Sequence, residues 1–310
     1  MGGKNARRAT AQGATAGQVI EAVGGVYRVR TDDGIVEASL RGRLKWTGPV
    51  PGKVVIGDHV EVVAGAGGAF VIESVRERRT FLSRWTSAGR TAKVVAANLD
   101  RLLVVASVAD PRPSREVIDR MLVMGESGDM DVRLVLNKVD LAEGRAVQAE
   151  LERAYRAAGY AVLATSAVTG EGIQAFGALI HAGSSALAGP SGVGKSSLLN
   201  AVEPSLDLRT RRVGRRSRIG KHTTVSSRLI ALADGGHVAD TPGFSDVGLG
   251  GVAPTELDGC FADFRPFLGT CHFKDCTHVH EPGCSVLAAV ADGHIQPERH
   301  RSYRTILAEL

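Results

Sequence analysis

The pattern of apolar and polar residues changes twice along the chain. Residues 18–75 alternate short β-branched runs with glycine turns, a pattern that predicts about five short strands and a small barrel over residues 18–80. An OB-like and an SH3-like barrel would give much the same pattern. Residues 1–17 contain basic residues without an apolar run, and we expect a disordered basic tail there.

From residue 99, strand-like and helix-like segments alternate. "LDRLLVVASVAD" and "DVRLVLNK" are near-continuous apolar runs, as expected of strands that are buried on both faces. Between and after them, "SREVIDRMLVMGES" and "GRAVQAELERAYRAAGY" have helical spacing. The alternation continues through "AVLATSA" and "SSALAG", which predicts a doubly wound α/β domain over residues 81–250.

Residues 251–310 form a short segment of different character that contains every cysteine of the chain. It ends in a predicted helix on which Tyr303, Ile306, Leu307 and Leu310 fall at helical spacing. The helix also carries arginines that we expect on its other faces, which makes it amphipathic and basic. These arginines are Arg299, Arg301 and Arg304.

A phosphate-binding motif lies late in the α/β segment. Gly189–Ser196 fits G-x-x-x-x-G-K-[ST] between a predicted strand and a predicted helix, where backbone N–H groups can surround phosphate oxygens. Lys195 should reach the β- and γ-phosphates, and Ser196 should hold Mg²⁺. The residues expected around the phosphates are Gly189, Pro190, Ser191, Gly192, Val193, Gly194, Lys195, Ser196 and Ser197.

The stretch "HVADTPGF" supplies the second half of a nucleotide site. Asp240 ends a predicted strand and would hold Mg²⁺ through water. Gly243 can offer its backbone N–H to the γ-phosphate.

"NKVD", residues 137–140, predicts that the base is guanine. The Asp140 carboxylate can accept hydrogen bonds from guanine N1–H and the 2-amino group, donors that adenine lacks. Asn137 can reach the other edge of the base and help tie the loop down, and the Lys138 stem can lie along the ring. After the next strand, the Ser166 side chain and the Ala167 amide would support Asp140 and guanine O6.

The base-reading motif precedes the phosphate loop, so the GTPase domain is circularly permuted. Such a rearrangement is tolerable because domain termini lie at the surface, often close together. The strand that ends in Asp240 then lies near the end of the domain. We therefore expect that the nucleotide state moves the segment after residue 250.

The sequence leaves alternatives for the catalytic groups, because no glutamine follows D-x-x-G, where Phe244 is found instead. Thr223 or Thr224, with Thr224 favoured, should complete the Mg²⁺ shell. His222 either orients the attacking water or only packs on its loop.

Two basic segments suggest nucleic acid, although each could equally be a solvated surface. Residues 209–224 contain seven cations and no acid, which suits RNA that orders this loop and activates hydrolysis. The apparent loop between the barrel strands combines cations with an aromatic residue, as single-strand binders do. It contains Arg41, Arg43, Lys45, Trp46 and Lys53.

Four residues within "CHFKDCTHVHEPGC" suit tetrahedral zinc in a closed, structural site: Cys271, Cys276, His278 and Cys284. His272 and His280 compete with His278 for the fourth position. The alternative is a set of reduced cysteines without a metal. We expect Cys260 to be a buried free thiol.

The permuted motifs, "GKHTT", "DTPGF" and the C-x4-C-x-H-x5-C spacing together closely resemble the bacterial ribosome small-subunit-dependent GTPase A family (RsgA/YjeQ) over residues 18–310. The resemblance implies an N-terminal OB-fold and a role in late maturation of the 30S subunit, near its decoding region and with subunit-stimulated hydrolysis. It also implies GTP contacts at Asn137, Lys138, Asp140, the phosphate loop and Asp240, and zinc at Cys271, Cys276, His278 and Cys284. His222 corresponds to a proposed catalytic histidine in the members that lack the glutamine.

The composition indicates the cellular compartment and the kind of binding partner. The formal net charge is +5, four cysteines do not make a disulfide scaffold, and no run of eighteen apolar residues is present. We expect a cytoplasmic monomer that binds GTP or GDP with Mg²⁺, one structural Zn²⁺ ion, the 30S subunit and its 16S rRNA. Two rival hypotheses are a non-catalytic, GTP-gated RNA-binding adaptor and an ATP-driven enzyme, the latter disfavoured by "NKVD".

Overall fold

One long sheet runs through most of the chain. The computed structural model describes residues 13–47, 52–65, 69–85, 92–208, 227–240 and 251–310. Among these residues, eleven strands form a sheet in the order β10-β9-β8-β11-β13-β12-β1-β2-β3-β5-β4, and two further strands form a hairpin. No helix in these ranges is long and apolar enough to cross a membrane.

The first five strands form a closed barrel. They are β1 (Thr15–Val23), β2 (Val26–Thr31), β3 (Gly34–Trp46), β4 (His59–Ala64) and β5 (Phe70–Val75), and β4 pairs back with β1. Alternate residues point inward, so that Val19, Val29, Val60 and Ile72 are fully buried in the barrel core. This confirms the predicted OB-like barrel, and its first strand begins at Thr15, within the range expected to be a tail.

The barrel segment rich in cations was wrongly predicted as a loop as far as Trp46, whereas Lys53 does lie outside the strands. Arg41 and Lys45 belong to the long strand β3, where both pair with Glu73 of β5. The Trp46 ring is half-buried, and the Arg78 guanidinium lies 4.9 Å from its centroid. The alternation of large and polar residues in "RGRLKW" is typical of a strand, but the glycine and the charged residues favoured a loop in the sequence analysis.

A β-hairpin that the sequence pattern did not predict follows the barrel. Strands β6 (Phe81–Trp85) and β7 (Ala92–Ala97) pair antiparallel. The Ala97 amide donates to the Ile56 carbonyl at 2.9 Å, which attaches this hairpin to the barrel.

The α/β part contains the predicted parallel sheet. Its strands are β8 (Arg101–Ser107), β9 (Asp131–Asn137), β10 (Ala161–Thr165), β11 (Ser184–Ala188) and β13 (His237–Asp240), with β12 (Ser227–Ala231) antiparallel to β13. Its helices are α1 (Arg115–Glu126), α2 (Arg145–Ala157), α3 (Ile173–His181) and α4 (Lys195–Val202). Two buried clusters, one with α1 and α2 and one with α3 and α4, cover the sheet. The predicted α/β fold is confirmed.

Strands β1 and β12 join the barrel to the α/β sheet. They pair antiparallel through Glu21 with Arg228 and Ala22 with Ser227. The Glu21 carboxylate also accepts from Arg28 at 3.1 Å and lies 3.0 Å from the Arg228 guanidinium. The barrel is therefore continuous with the sheet that carries the nucleotide motifs.

The C-terminal module, residues 251–310, packs on α1. It consists of short 3-10 turns followed by α5 (Ser285–Ala291) and α6 (Pro297–Leu307). Phe261, Phe264, Tyr303 and Ile306 are buried and belong to the same apolar cluster as Met121 of α1. The apolar face predicted for the last helix is therefore its packing face.

The prediction that Arg299 lies on an outer basic face of α6 is wrong. The Arg299 side chain is 2% exposed. Its Nη1 lies 2.6 Å from Asp119 Oδ1 of α1, and its Nη2 lies 2.6 Å from Asp263 Oδ1. The guanidinium carbon also lies 4.5 Å from the centroid of the Phe261 ring. Two carboxylates and an aromatic face compensate for the burial of this cation.

Candidate nucleotide and metal sites

The separated nucleotide motifs meet at one edge of the sheet. β8, β9, β10, β11 and β13 run parallel, so their carboxyl ends lie on the same side. The strand register aligns Asn137 with both Ser107 and Thr165. "NKVD" begins at the last residue of β9, Ser166 and Ala167 follow β10, the phosphate loop follows β11, and Asp240 ends β13. The order of the motifs in the chain therefore does not alter their arrangement in space.

Asn137 connects the base-reading motif to the phosphate loop. Its side chain is buried, and its Nδ2 donates to the Val193 carbonyl at 2.8 Å. Its Oδ1 accepts from Thr165 Oγ1 at 3.2 Å. Since this amide is occupied by protein groups, its position indicates a role in holding three loops together.

Gly194 provides the space for this connection. It precedes α4 with a φ of +100°, and a Cβ at this position would lie 2.3 Å from Asn137 Nδ2. A side chain would therefore be strained by the backbone conformation and would displace the Asn137 amide.

Asp140 is oriented by the strand beside it. Ser166 Oγ donates to Asp140 Oδ1 at 2.6 Å and accepts from the backbone amides of Val168 and Thr169 at 3.2 and 3.1 Å. Asp140 remains exposed, so its carboxylate can meet a ligand. Lys138 adopts a left-handed backbone conformation with a φ of +66°, and its ammonium donates to the carbonyl of Asp110.

The phosphate loop ends at the N-terminus of α4, with Lys195 as its first residue and Ser196 and Ser197 next. Lys195 Nζ donates to the carbonyls of Gly189 and Pro190 at 2.5 and 3.1 Å, so its cation lies within the loop. Burial lowers the pKa of Lys195. Phosphate oxygens would offset that desolvation, since an anion stabilises the charged lysine.

Several predicted residues lie outside the described ranges. They comprise the cations of residues 209–224, together with His222, Thr223, Thr224, Gly243 and Phe244. Asp240 is described, and it lies opposite Arg228 in the pairing of β13 with β12.

Four potential metal ligands converge in the C-terminal module. One ligand atom from each of Cys271, Cys276, His278 and Cys284 lies within 4.8 Å of the others. His278 Nδ1 lies 3.3 Å from Cys284 Sγ and 3.6 Å from Cys271 Sγ. Three thiolates and one imidazole at these separations fit a closed tetrahedral zinc site.

The structure selects one of the three candidate histidines. His278 is buried and points its Nδ1 at the sulfurs, while its Nε2 lies 3.2 Å from Asp258 Oδ2. A carboxylate on the second ring nitrogen is a common support for a metal-binding histidine, and the sequence did not indicate Asp258. His272 instead stacks edge-on against the Phe273 ring.

The fourth cysteine is separate from this cluster. Cys260 is a buried free thiol, as expected, and its Sγ donates to the Glu256 carbonyl at 3.4 Å. Burial, followed by the negative charge of Glu126, raises the pKa of Cys260 to about 12.

A phosphate-loop motif, the "NKVD" motif and the strand-terminal Asp240 on one edge of a rearranged sheet are the arrangement of a circularly permuted GTPase. Family models match at two places: "RsgA N-terminal domain" over residues 16–70 and "RsgA GTPase" over residues 75–250. The chain belongs to the RsgA family of GTPases.

Its similarity to known members extends over nearly the whole chain. It is 44% identical to the small ribosomal subunit biogenesis GTPase RsgA of Gemmatimonas aurantiaca, covering 96% of this chain and 97% of the relative. It is 40% identical to the protein of the same name from Moorella thermoacetica, covering 95% and 97%. The crystal structure of YjeQ from Thermotoga maritima is 33% identical with a TM-score of 0.76, covering 96% of this chain and 98% of that one. The crystal structure of YloQ, a circularly permuted GTPase, is 28% identical with a TM-score of 0.70, covering 98% of this chain and 97% of that one.

Proposed function

We propose that this GTPase binds the small ribosomal subunit and its 16S rRNA, assists late maturation of the subunit and hydrolyses GTP in a subunit-stimulated way. The curated relatives are named for biogenesis of the small ribosomal subunit, and the similarity covers almost the full length of both chains. We further propose that the protein acts as a monomer in the cytoplasm.

The observation that carries the GTP assignment is the convergence of "NKVD", Ser166, the phosphate loop and Asp240 at one sheet edge. In this proposal Asp140, held by Ser166, accepts from guanine N1–H and the 2-amino group. Lys138 lies along the ring, and the Ala167 amide binds O6. Asn137 fixes the loops through Val193 and Thr165.

The phosphate loop and the amino end of α4 bind the triphosphate in the same proposal. Lys195 moves from the loop carbonyls to the β- and γ-phosphates. Ser196, Asp240 and Thr224 would hold Mg²⁺, which neutralises the phosphate charge when bound. His222 orients the attacking water, with Thr223 and Gly243 beside the γ-phosphate. Because Phe244 occupies the place of the usual glutamine, hydrolysis depends on the subunit to complete this arrangement.

Zinc has a structural role in this proposal. Cys271, Cys276, His278 and Cys284 would hold the ion, and Asp258 would fix the His278 ring. The ion would link the segment before α5 to the N-terminus of that helix, where Cys284 is the N-cap. A module of this size needs such a constraint because its own apolar core is small.

Co-sedimentation with purified ribosomal subunits tests the binding part. We expect the full chain with a non-hydrolysable GTP analogue to pellet with small subunits and not with large subunits. GDP should weaken this association, because the loops near the γ-phosphate would lose their ligand. Equal pelleting with both subunits, or none with either, would contradict the proposal.

A further inference from the structure

A second polar site lies at the edge of the sheet opposite the nucleotide motifs. A groove of about 410 Å³ opens between the barrel and the amino-terminal ends of β11 and β13. The barrel side contributes His59 of β4 and Arg79, which follows β5. The other side contributes His181 at the end of α3 and His237 at the start of β13.

The groove presents hydrogen-bond donors to solvent. His181 also lines it, although the Nε2 atom of this ring is itself buried and has no hydrogen-bond partner among the described residues. Arg79 has a side chain that is 70% exposed, and its ion-pair partner, Asp100, is 3.7 Å away. The Arg30 guanidinium donates to His237 Nε2, so the neutral His237 ring carries its proton on Nδ1.

The carboxylate of Asp100 in the groove already accepts hydrogen bonds from the protein. Asp100 Oδ2 accepts from the backbone amide and the hydroxyl of Ser184 at 2.7 and 2.8 Å. Although burial alone would raise it, the pKa of Asp100 is lowered because these hydrogen bonds and nearby Arg79 and Arg101 favour the charged form. The other oxygen of Asp100, Oδ1, lies 3.7 Å from the Arg79 guanidinium, which is too far for a hydrogen bond, so Arg79 can still donate to a ligand.

Arginines lie near the titratable groups of the groove. Burial lowers the pKa of His59, and Arg79 and Arg76 lower it further, against a smaller opposing effect of Asp58. Burial and Arg30 lower the pKa of His237. Imidazoles whose neutral form is favoured by burial and by neighbouring cations can donate hydrogen bonds to an anion, and a bound anion would in turn favour their protonation.

We propose that this groove binds phosphate oxyanions, and that their source is the backbone of single-stranded RNA. The proposal deepens the proposed function and rests on it, because it gives the RNA partner a contact to both the barrel and the GTPase sheet. The volume is more than ten times the ~30 Å³ share of one water molecule, so it has room for more than one phosphate group. The mixture of arginine and imidazole donors suits phosphate oxygens.

RNA binding as a function of salt tests the role of Arg79. The full chain, with GDP bound, is titrated with labelled poly(U) at several salt concentrations. Arg79→Gln should reduce the magnitude of the slope of log K against log salt concentration by about 0.7 if one phosphate contact is lost. Arg153→Gln is the control, because it removes an equal charge from an exposed site on α2, beside β10 at the other end of the sheet. Unchanged GDP affinity shows that each variant is folded.

Nitrogen-15 NMR of the histidine rings locates the site independently of the Arg79 variant. The signals of His59, His181 and His237, assigned by single His→Gln variants, should shift when poly(U) is added. The histidine signals could instead shift with tripolyphosphate but not with poly(U), while Arg79→Gln leaves the salt dependence of RNA binding unchanged. That result would keep the anion site and assign it to a free polyphosphate. The inference would be overturned if the histidine signals shifted with neither ligand and the Arg79 and Arg153 variants had equal slopes of log K against log salt concentration. Subunit-stimulated hydrolysis is measured separately, so that result would leave the proposed function intact.

Discussion

The side-chain amide of Asn137 donates a hydrogen bond of 2.8 Å to the backbone carbonyl of Val193, which lies 56 positions further along the chain. The first residue belongs to the motif proposed to read the base and the second to the loop proposed to bind phosphate. The contact depends on β9, β8 and β11 being neighbours, and not on which of the two motifs comes first. It therefore shows how a permuted chain preserves a connected nucleotide site.

Gly194→Ala should lower the affinity for GTP by at least about tenfold, which corresponds to about 1.4 kcal/mol. The added Cβ would lie 2.3 Å from Asn137 Nδ2, so the hydrogen bond from this atom to the Val193 carbonyl must be displaced. Displacement of a fluorescent GTP analogue measures the effect.

Gly159→Ala is the matched control for that variant. Gly159 also has a positive φ, +90°, but a Cβ there would meet nothing within 4 Å. We expect it to lower the free energy of unfolding by about 1 kcal/mol through backbone strain alone and to leave GTP affinity unchanged. Equal GTP affinities for the two variants would contradict the role given to the Asn137 connection.

Asp140→Asn should remove the preference for guanine. The carboxylate would no longer accept from two donors of the base, and charge-assisted hydrogen bonds contribute about 1.5–3 kcal/mol each. GTP affinity should therefore fall by at least about 100-fold, while ATP affinity, which does not use these bonds, stays low and unchanged. Competition binding with GTP and ATP provides the measurement, and a retained preference for GTP would remove Asp140 from the base site.

Zinc should be present at one ion per chain, and Cys276→Ser should lose it. The substitution removes one of three thiolates whose sulfurs converge with His278 Nδ1. Cys260→Ala is the control, because Cys260 lies outside the ligand cluster and should leave the metal content unchanged. Elemental analysis of the purified proteins measures the ion. A wild-type chain that is folded and metal-free would contradict the assignment.

Arg299→Met should lower the free energy of unfolding by about 3–5 kcal/mol, because it leaves Asp119 and Asp263 buried without their cation. Adding Asp119→Asn and Asp263→Asn should recover much of that loss, since the uncompensated charges are then gone. Arg301→Met, on an exposed position of the same helix, should change stability by less than about 0.5 kcal/mol. Denaturant unfolding of the four proteins gives the comparison, and equal effects of Arg299→Met and Arg301→Met would refute the role of the buried triad.

The sequence predicted what depends on local pattern. The apolar runs of β8 and β9 and the helical spacing of α1 and α2 gave the α/β fold. The phosphate loop and "NKVD" are short motifs that carry their own chemistry, so the nucleotide residues could be named before the fold was known.

Features that depend on distant partners were missed. Arg299, Arg301 and Arg304 look alike in the sequence, and only the approach of Asp119 and Asp263 distinguishes the first. Likewise, three nearby histidines had suitable spacing for zinc. The backbone at His278, with a φ of +59°, and its contact with Asp258 favour that residue over the other two. The pairing of β1 with β12 involves only two residue pairs, too few to leave a pattern in the sequence.

Steady-state GTP hydrolysis with and without purified small subunits tests the central claim most directly, with large subunits as the control. We predict a large acceleration by small subunits alone, because the chain has Phe244 where other GTPases have a catalytic glutamine. Equal slow rates in all three conditions, with GTP binding intact, would contradict the claim. That result would instead indicate that the protein is a non-catalytic, GTP-gated RNA-binding adaptor.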